Sequence, residues 1–275
     1  MANLYDPSVV KRLFDEMGKT YGWVNLVASF GFARRWRKQC LRAIRIPVGA
    51  RAIDMMSGMG ELCPDLSRRL GGEGSILAID ISETMVRKAS RLDCQCKTTV
   101  VLADVLAYDF ETAGADVVVC SFGLKTFSSQ QIGELARIVA CVLKPGGVFS
   151  FVEISVPDWS WLRRPYMFYL NHVVPWIGWL FLGNPDNYRQ LGVYAAAFGN
   201  CREALRMFHN AGLDAQFHSF FFGCATGISG RRPSEQAEPK PVGGALQKVP
   251  RLAGRGIFVR ICTGAAGLRW SSFWS

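Results

Sequence analysis

The chain has 275 residues, 49% of them apolar and 20% charged, enough apolar material for one large buried core. Its formal net charge is +10, but the eight Lys or Arg and two Glu from Arg231 onward supply +6 of this, so the body carries little basic excess and nucleic acid ranks low as a partner. Nine cysteines with no CxxC pair lie mostly in apolar runs, as reduced thiols do; Cys94 and Cys96 are a minor candidate pair, and no metal is expected. With no basic-then-apolar leader at the start, a cytoplasmic location is the default expectation.

Residues 7–44 read as helix. Leu13, Phe14, Met17, Tyr21, Val24, Leu26 and Val27 recur at helical spacing, a break falls at Ser29-Phe30-Gly31, and Trp36, Cys40, Leu41 and Ile44 then share a face. This gives an N-terminal helical cap over 1–46. Strands are predicted at 51–55, 75–79, 98–102, 115–120 and 148–152, separated by helices at 62–70, from Ser82-Glu83 onward, and at 130–143. The run Val117-Val118-Val119 is the mark of a parallel strand covered on both faces, and Lys144-Pro145-Gly146-Gly147 reads as a helix stop and turn. Alternating strands and helices predict a doubly wound, mostly parallel α/β sheet over 47–230.

Residues 155–194 are too long for an ordinary connection and are expected to form a helical lid. A helix at 201–211 and strands at 215–222 and 224–229 finish the domain, and 231–275, broken by Pro233, Pro239, Pro241 and Pro250, reads as a disordered basic tail. The longest nearly uncharged apolar run, 173–183, is about half of the ~20 residues that a bilayer-crossing helix needs. Its surroundings hold Trp161, Arg163, Arg164, Tyr166, Phe168, Tyr169, Trp176 and Trp179, a composition that walls a greasy pocket or rests at a lipid interface. Peripheral membrane contact and a homo-oligomer therefore both stay open.

Ligands of such sheets sit beyond the carboxyl ends of the strands, where Gly58, Asp80, Asp104, Ser121 and Glu153 fall. The first strand runs into Asp54-Met55-Met56-Ser57-Gly58-Met59-Gly60-Glu61, a glycine turn that lets backbone approach a ligand closely. A dinucleotide site spaces three glycines so that a diphosphate rests on the helix N-terminus. Here Glu61 stands at that entrance and would repel a diphosphate, whereas a cationic amino-acid-plus-sulfonium ligand tolerates it. Asp80, 26 residues after Asp54, is placed to hold a ribose, and Asp104 to accept from an adenine amino group. Taken singly, each acid is also an ordinary cap for the helix that follows.

The chain resembles the ubiquinone/menaquinone biosynthesis C-methyltransferases, within the class I S-adenosylmethionine-dependent methyltransferases, over roughly 14–233. The resemblance rests on Tyr21 with Asn25 and Ser29-Phe30-Gly31, Arg34 and Trp36; the segment 54–61; Asp80-Ile81-Ser82; Ser121-Phe122-Gly123-Leu124; Leu143-Lys144-Pro145-Gly146-Gly147 leading to Glu153; His172 to Pro175; and Asp186-Asn187-Tyr188-Arg189. It implies a Rossmann-like sheet, S-adenosylmethionine as methyl donor, and transfer to a carbon of a hydrophobic, prenylated quinol-like ring. The donor-binding set expected from it is Asp54, Ser57, Gly58 and Gly60 at the turn, Asp80 with Ile81, Asp104 with Val105, and Ser121 and Tyr21. The chain departs from the family at Lys125-Thr126, where an Arg-Asn pair is usual, and at Gly22 and Ala33, where Asp and His are usual. All three departures lie on the acceptor side.

A carbon nucleophile needs electrons, which a base removing a phenolic proton supplies; His172 and Tyr188 are the candidates, Arg189 is an alternative binder of a substrate oxyanion, and Lys125 keeps the charge, without the planar fork, of the arginine that the family usually places beside the acceptor. A second scheme methylates the alkene of a prenyl diphosphate held by Lys125, Arg163 and Arg164. A third, from another class, is a non-catalytic assembly protein that keeps the fold with an altered turn.

Overall fold

The period-two pattern of the central strands organises the molecule, which a computed structural model describes over residues 3–181 and 183–234. In chain order the helices and strands are α1 (Pro7–Met17), α2 (Tyr21–Ala28), α3 (Phe32–Arg42), β1 (Arg51–Met55), α4 (Cys63–Leu70), β2 (Ser75–Asp80), α5 (Glu83–Ala89), β3 (Lys97–Leu102), β4 (Ala115–Ser121), α6 (Ser129–Val142) and β5 (Leu143–Ile154). Then follow α7 (Ser160–Phe168), α8 (Val174–Leu180), α9 (Pro185–Phe198), α10 (Arg202–Asn210), β6 (Asp214–Phe220) and β7 (Ala225–Arg231). The seven strands form one sheet in the order β3-β2-β1-β4-β5-β7-β6, parallel from β3 to β5 with β7 antiparallel to both of its neighbours.

Val117 and Val119 of β4 point to one face, where they pack with Ala52, Ala78 and the apolar side of α4; Val118 points to the other, among Ile53, Phe149 and residues of α6 and α10. All three valines are fully buried, the physical reason for an unbroken β-branched run. Phe208 of α10 packs on Phe149 and Phe151 with ring centroids 5.0 and 5.3 Å apart, each pair worth roughly 0.5–1.5 kcal/mol beyond its buried area. The helices start where their caps dictate: Asp6 accepts from Ser8 N–H before α1, Ser82 from Met85 N–H before α5, and Ser128 and Gln131 form a capping box before α6.

The cap and the lid pack together rather than separately. Val10, Leu13, Met17 and Val24 from α1 and α2 share a cluster with Leu170, Val174, Ile177, Tyr188 and Tyr194 of the 155–198 region. Gly178 permits this closeness, because a Cβ there would stand 2.2 Å from the Tyr188 ring. All the described residues fall within one compact unit, Met1–Ala237.

Several boundaries differ from the sequence-based expectation. The cap breaks twice, because Gly18 to Thr20 separates α1 from α2. Strand β5 absorbs the Lys-Pro-Gly-Gly turn, with a register shift against β4 between Ala115 and Val117, so the glycines bend a strand instead of ending a helix. In the lid, a π-helical turn, Tyr169–Val173, joins α7 to α8, and α9 runs on to Phe198. Arg231, expected to open the tail, still pairs with Val148 and Asp214. The rest of that tail reading lies, from 235 on, outside the described residues.

Candidate active site

The β1 turn is shaped by three residues in the left-handed region, Met56 (φ +54°), Gly58 (φ +58°) and Gly60 (φ +76°). Gly60 has a further constraint, since a Cβ would meet Leu92 at 2.6 Å. The turn thereby aims the Gly58 N–H at Asp80, whose Oδ2 accepts it at 2.7 Å while Oδ1 accepts Ser82 N–H at 2.9 Å. Each Asp80 oxygen keeps a lone pair for a ligand. Burial pushes the Asp80 carboxyl up to about 6, the two backbone donors opposing it.

Asp80 stands in the wall of a cleft over the carboxyl ends of β1 to β4, with Ile81, Asp104, Val105, Gly58 and Ser121 around it and Tyr21 and Arg37 reaching in from the cap. Asp104 also caps its own loop, accepting Leu106 N–H at 2.9 Å, so the two roles of a strand-end acid coexist. Asp54, Ser57 and Gly60, expected from the sequence to bind the donor, do not line the cleft: Asp54 and Ser57 are buried, and Gly60 serves the turn itself. Asp54 is fully enclosed, burial pushes its carboxyl up to about 8, and its Oδ2 accepts from Cys63 Sγ at 3.7 Å. Among the described residues Asp54 Oδ1 and Ser57 Oγ have no hydrogen-bond partner. The acids that do face the cleft, Glu61, Asp80 and Asp104, suit a cationic ligand bearing ribose hydroxyls and oppose a diphosphate.

A second cavity, of about 370 Å³, lies beside the first and is lined mainly by aromatic and aliphatic side chains from α2, α7, α9 and the 221–224 turn. Tyr21 lines both. At its inner wall Lys125, 3% exposed, donates from Nζ to Glu153 Oε1 and to Phe122 O, both at 2.8 Å. Glu153 is completely buried and also takes the backbone N–H groups of Lys125 (3.1 Å) and Ile154 (2.7 Å). A buried, paired ammonium facing an apolar cavity can hold a developing oxyanion.

A seven-stranded sheet of this order with an acid-rimmed glycine turn defines an S-adenosylmethionine-dependent methyltransferase of the Rossmann-like class. The chain belongs to the ubiE/COQ5 methyltransferase family, whose model matches residues 1–231. It is 29% identical over 233 residues to a demethylmenaquinone methyltransferase of Bacillus cereus, covering 82% of this chain and 97% of the relative, and equally so to one of Bacillus anthracis. In fold it is similar to a magnesium protoporphyrin IX methyltransferase from Synechocystis with bound S-adenosylhomocysteine, at TM-score 0.54 and 16% identity over 82% of this chain and 99% of that one. A SAM-dependent methyltransferase from Thermotoga maritima gives TM-score 0.55 at 15% identity, covering 80% and 99%.

Of the four residues expected to do chemistry, two face the second cavity and two do not. Lys125 and Tyr188 line it. The Tyr188 hydroxyl is 2.8 Å from Thr20 Oγ1 and burial raises its pKa, so it is a poor base and a good wall. His172 is exposed, stacked on Phe168 with its Nδ1 3.1 Å from the Phe168 carbonyl, and Arg189 is exposed and ion-paired with Asp186. Both correct the sequence expectation, because helical periodicity turns these positions outward. The three cations of the diphosphate scheme are also separated, with Arg163 and Arg164 on the exposed side of α7 and Lys125 deep inside. Arg37 was missed. Its signal was a charge on the buried stripe of α3, alongside Ala33, Trp36, Cys40 and Leu41.

Proposed function

We propose that the chain transfers the methyl group of S-adenosylmethionine to a ring carbon of a prenylated quinol, with the donor in the cleft over Asp80 and the ring in the apolar cavity. When bound, the donor supplies an electrophilic methyl on a sulfonium sulfur. The observation that carries the reading is the shared wall at Tyr21: a cleft holding Asp80, Asp104, Glu61 and Arg37 and an apolar cavity of aromatic lining meet at one side chain. The names of the Bacillus relatives, demethylmenaquinone methyltransferases, support an acceptor of this class.

Asp80 and Gly58 orient the donor, and the aromatic walls exclude water from the reacting carbon. Lys125 holds the acceptor oxygen as its phenolic proton passes to solvent, which raises electron density on the adjacent ring carbon. As the carbon–methyl bond forms and the sulfur–methyl bond breaks, the breaking bond's electron pair stays on the sulfur as a neutral thioether; the ring carbon then sheds its hydrogen as a proton, aromaticity returns, and the oxygen is reprotonated, so that one proton is released in all. At the cavity mouth Phe30 and Phe221 are exposed, Phe222, Trp159 and Trp161 extend this aromatic surface through Phe221, and α3 and α7 carry exposed Arg34, Arg35, Arg163 and Arg164. Such a rim suits contact with an anionic lipid surface, from which a prenylated ring would enter. No helix among the described residues is long and apolar enough to cross a membrane.

The test is incubation with labelled donor and a panel of demethylquinols of varied prenyl length and of prenyl diphosphates, resolved by mass spectrometry. One methyl on the quinol ring is expected. Turnover of diphosphates with every quinol inert would reverse the assignment.

A further inference from the structure

The donor cleft contains an ion pair that the reading above leaves unused. Arg37 reaches in from α3 and donates from a terminal nitrogen to Glu61 Oε1 at 2.8 Å; the side chains are 11% and 24% exposed. Nε of Arg37 also lies 3.4 Å from Ser121 Oγ, and the guanidinium rests 5.0 Å from the Phe122 ring centroid. A guanidinium has five N–H donors, so three remain after Glu61 and Ser121 are served. Glu61 likewise keeps acceptor capacity, with Oε2 close to Gly58.

The sheet order gives this pair a direction. Asp104 follows β3 and Asp80 ends β2 at one end of the cleft, whereas Ser121 ends β4 at the other, and Arg37 is fastened to that second end. A ribose and base over the two acids leave the opposite end of an S-adenosyl ligand, an α-amino acid with one ammonium and one carboxylate on the same carbon, beside Arg37 and Glu61. A neighbouring guanidinium and carboxylate are the complement of that zwitterion. We propose that Arg37 receives the α-carboxylate of the donor and Glu61 its α-ammonium, so that the N-terminal cap completes the donor site. This rests on the cleft being the donor's, and it explains why a buried arginine sits on the apolar stripe of α3.

The pair is tested on the full chain by calorimetry with two probes, S-adenosylhomocysteine and 5′-methylthioadenosine, which keeps the adenosine and thioether but lacks the amino-acid end. The wild-type chain is expected to bind the first more tightly. Arg37→Ala should weaken S-adenosylhomocysteine roughly 10- to 100-fold, the worth of a lost charge-assisted hydrogen bond, and change methylthioadenosine by less than about 2-fold. Arg37→Lys should recover part of the loss. Glu61→Gln, close to isosteric, reads the ammonium side and replaces the alanine variant if that fails to fold; it too should weaken only the first probe. Equal loss for both probes, or no loss for the first, would overturn the proposal by making the pair structural. Wild-type binding of both probes with equal affinity would overturn it while leaving the donor cleft standing. Binding of neither would overturn the donor reading itself.

Discussion

Asp80 receives two backbone N–H groups and lies in a cleft that desolvates it, and the outcome is a carboxyl titrating near 6. In the proposed donor pose ribose hydroxyls donate to the ionised form, so protonation would compete with the donor. Affinity for S-adenosylhomocysteine should therefore fall as pH drops below about 6, approaching tenfold per pH unit, in calorimetry between pH 5 and 8. A flat profile would remove Asp80 from the ribose contact. The Lys125–Glu153 pair has a different logic, since both members are buried and each neutralises the other. Lys125→Met should lower kcat at least 100-fold and also cost roughly 3–5 kcal/mol by stranding Glu153. Replacing Glu153 as well, by Leu, should restore the melting temperature but not the turnover. Restored turnover would make the lysine merely structural. At this scale the strand-end acids were legible, because a strand followed by a glycine turn leaves one place for them. His172 and Arg189 misled because a motif names neighbours in sequence without saying which side of a helix they occupy.

Among the elements, the lid shows how a fold builds an apolar cavity from helices that are individually short. Helix α8 approaches α9 through Gly178, against the ring of Tyr188. Gly178→Ala should push that ring, destabilise the protein by roughly 1–3 kcal/mol, and raise the KM for the acceptor more than for the donor. An unchanged acceptor KM would detach α8 from the acceptor site. The rim carries a prediction of its own. Phe32 and Phe221 pack at 4.4 Å, and Trp159 lies 5.8 Å from Trp161 and 6.0 Å from Phe222, a continuous aromatic edge. Changing Trp161 and Phe222 together to Ser should reduce flotation with vesicles containing anionic lipid several-fold, while leaving S-adenosylhomocysteine binding intact. Full retention on vesicles would dismiss the lipid contact. The composition of 155–194 announced this surface, but Pro165 inside α7 and the π-turn after it concealed how the helices divide.

For the molecule as a whole, Asp54 is the clearest cost of the site. Its folded carboxyl titrates near 8 against an ordinary 3.8, so between those values the folded chain holds a proton that the unfolded chain has released. Stability from this group is thus present at low pH and lost as pH rises through the folded value. Asp54→Asn should leave the protein more stable by roughly 1–3 kcal/mol at pH 8, with the difference fading toward pH 4, in thermal melts across that range. Identical pH slopes for the two proteins would refute it. Alternating strands and helices, the glycine turn and the acids at successive strand ends follow from local periodicity and turn chemistry, which act over a few residues and can be read directly from the amino acids. The antiparallel insertion of β7 between β5 and β6, the meeting of cap and lid, the burial of Lys125 and the arrival of Arg37 in the cleft were decided by tertiary structure alone. Each depends on which faces find one another across separations from some two dozen residues, as for Arg37 and Glu61, to more than 150 between cap and lid, and no local pattern records that choice.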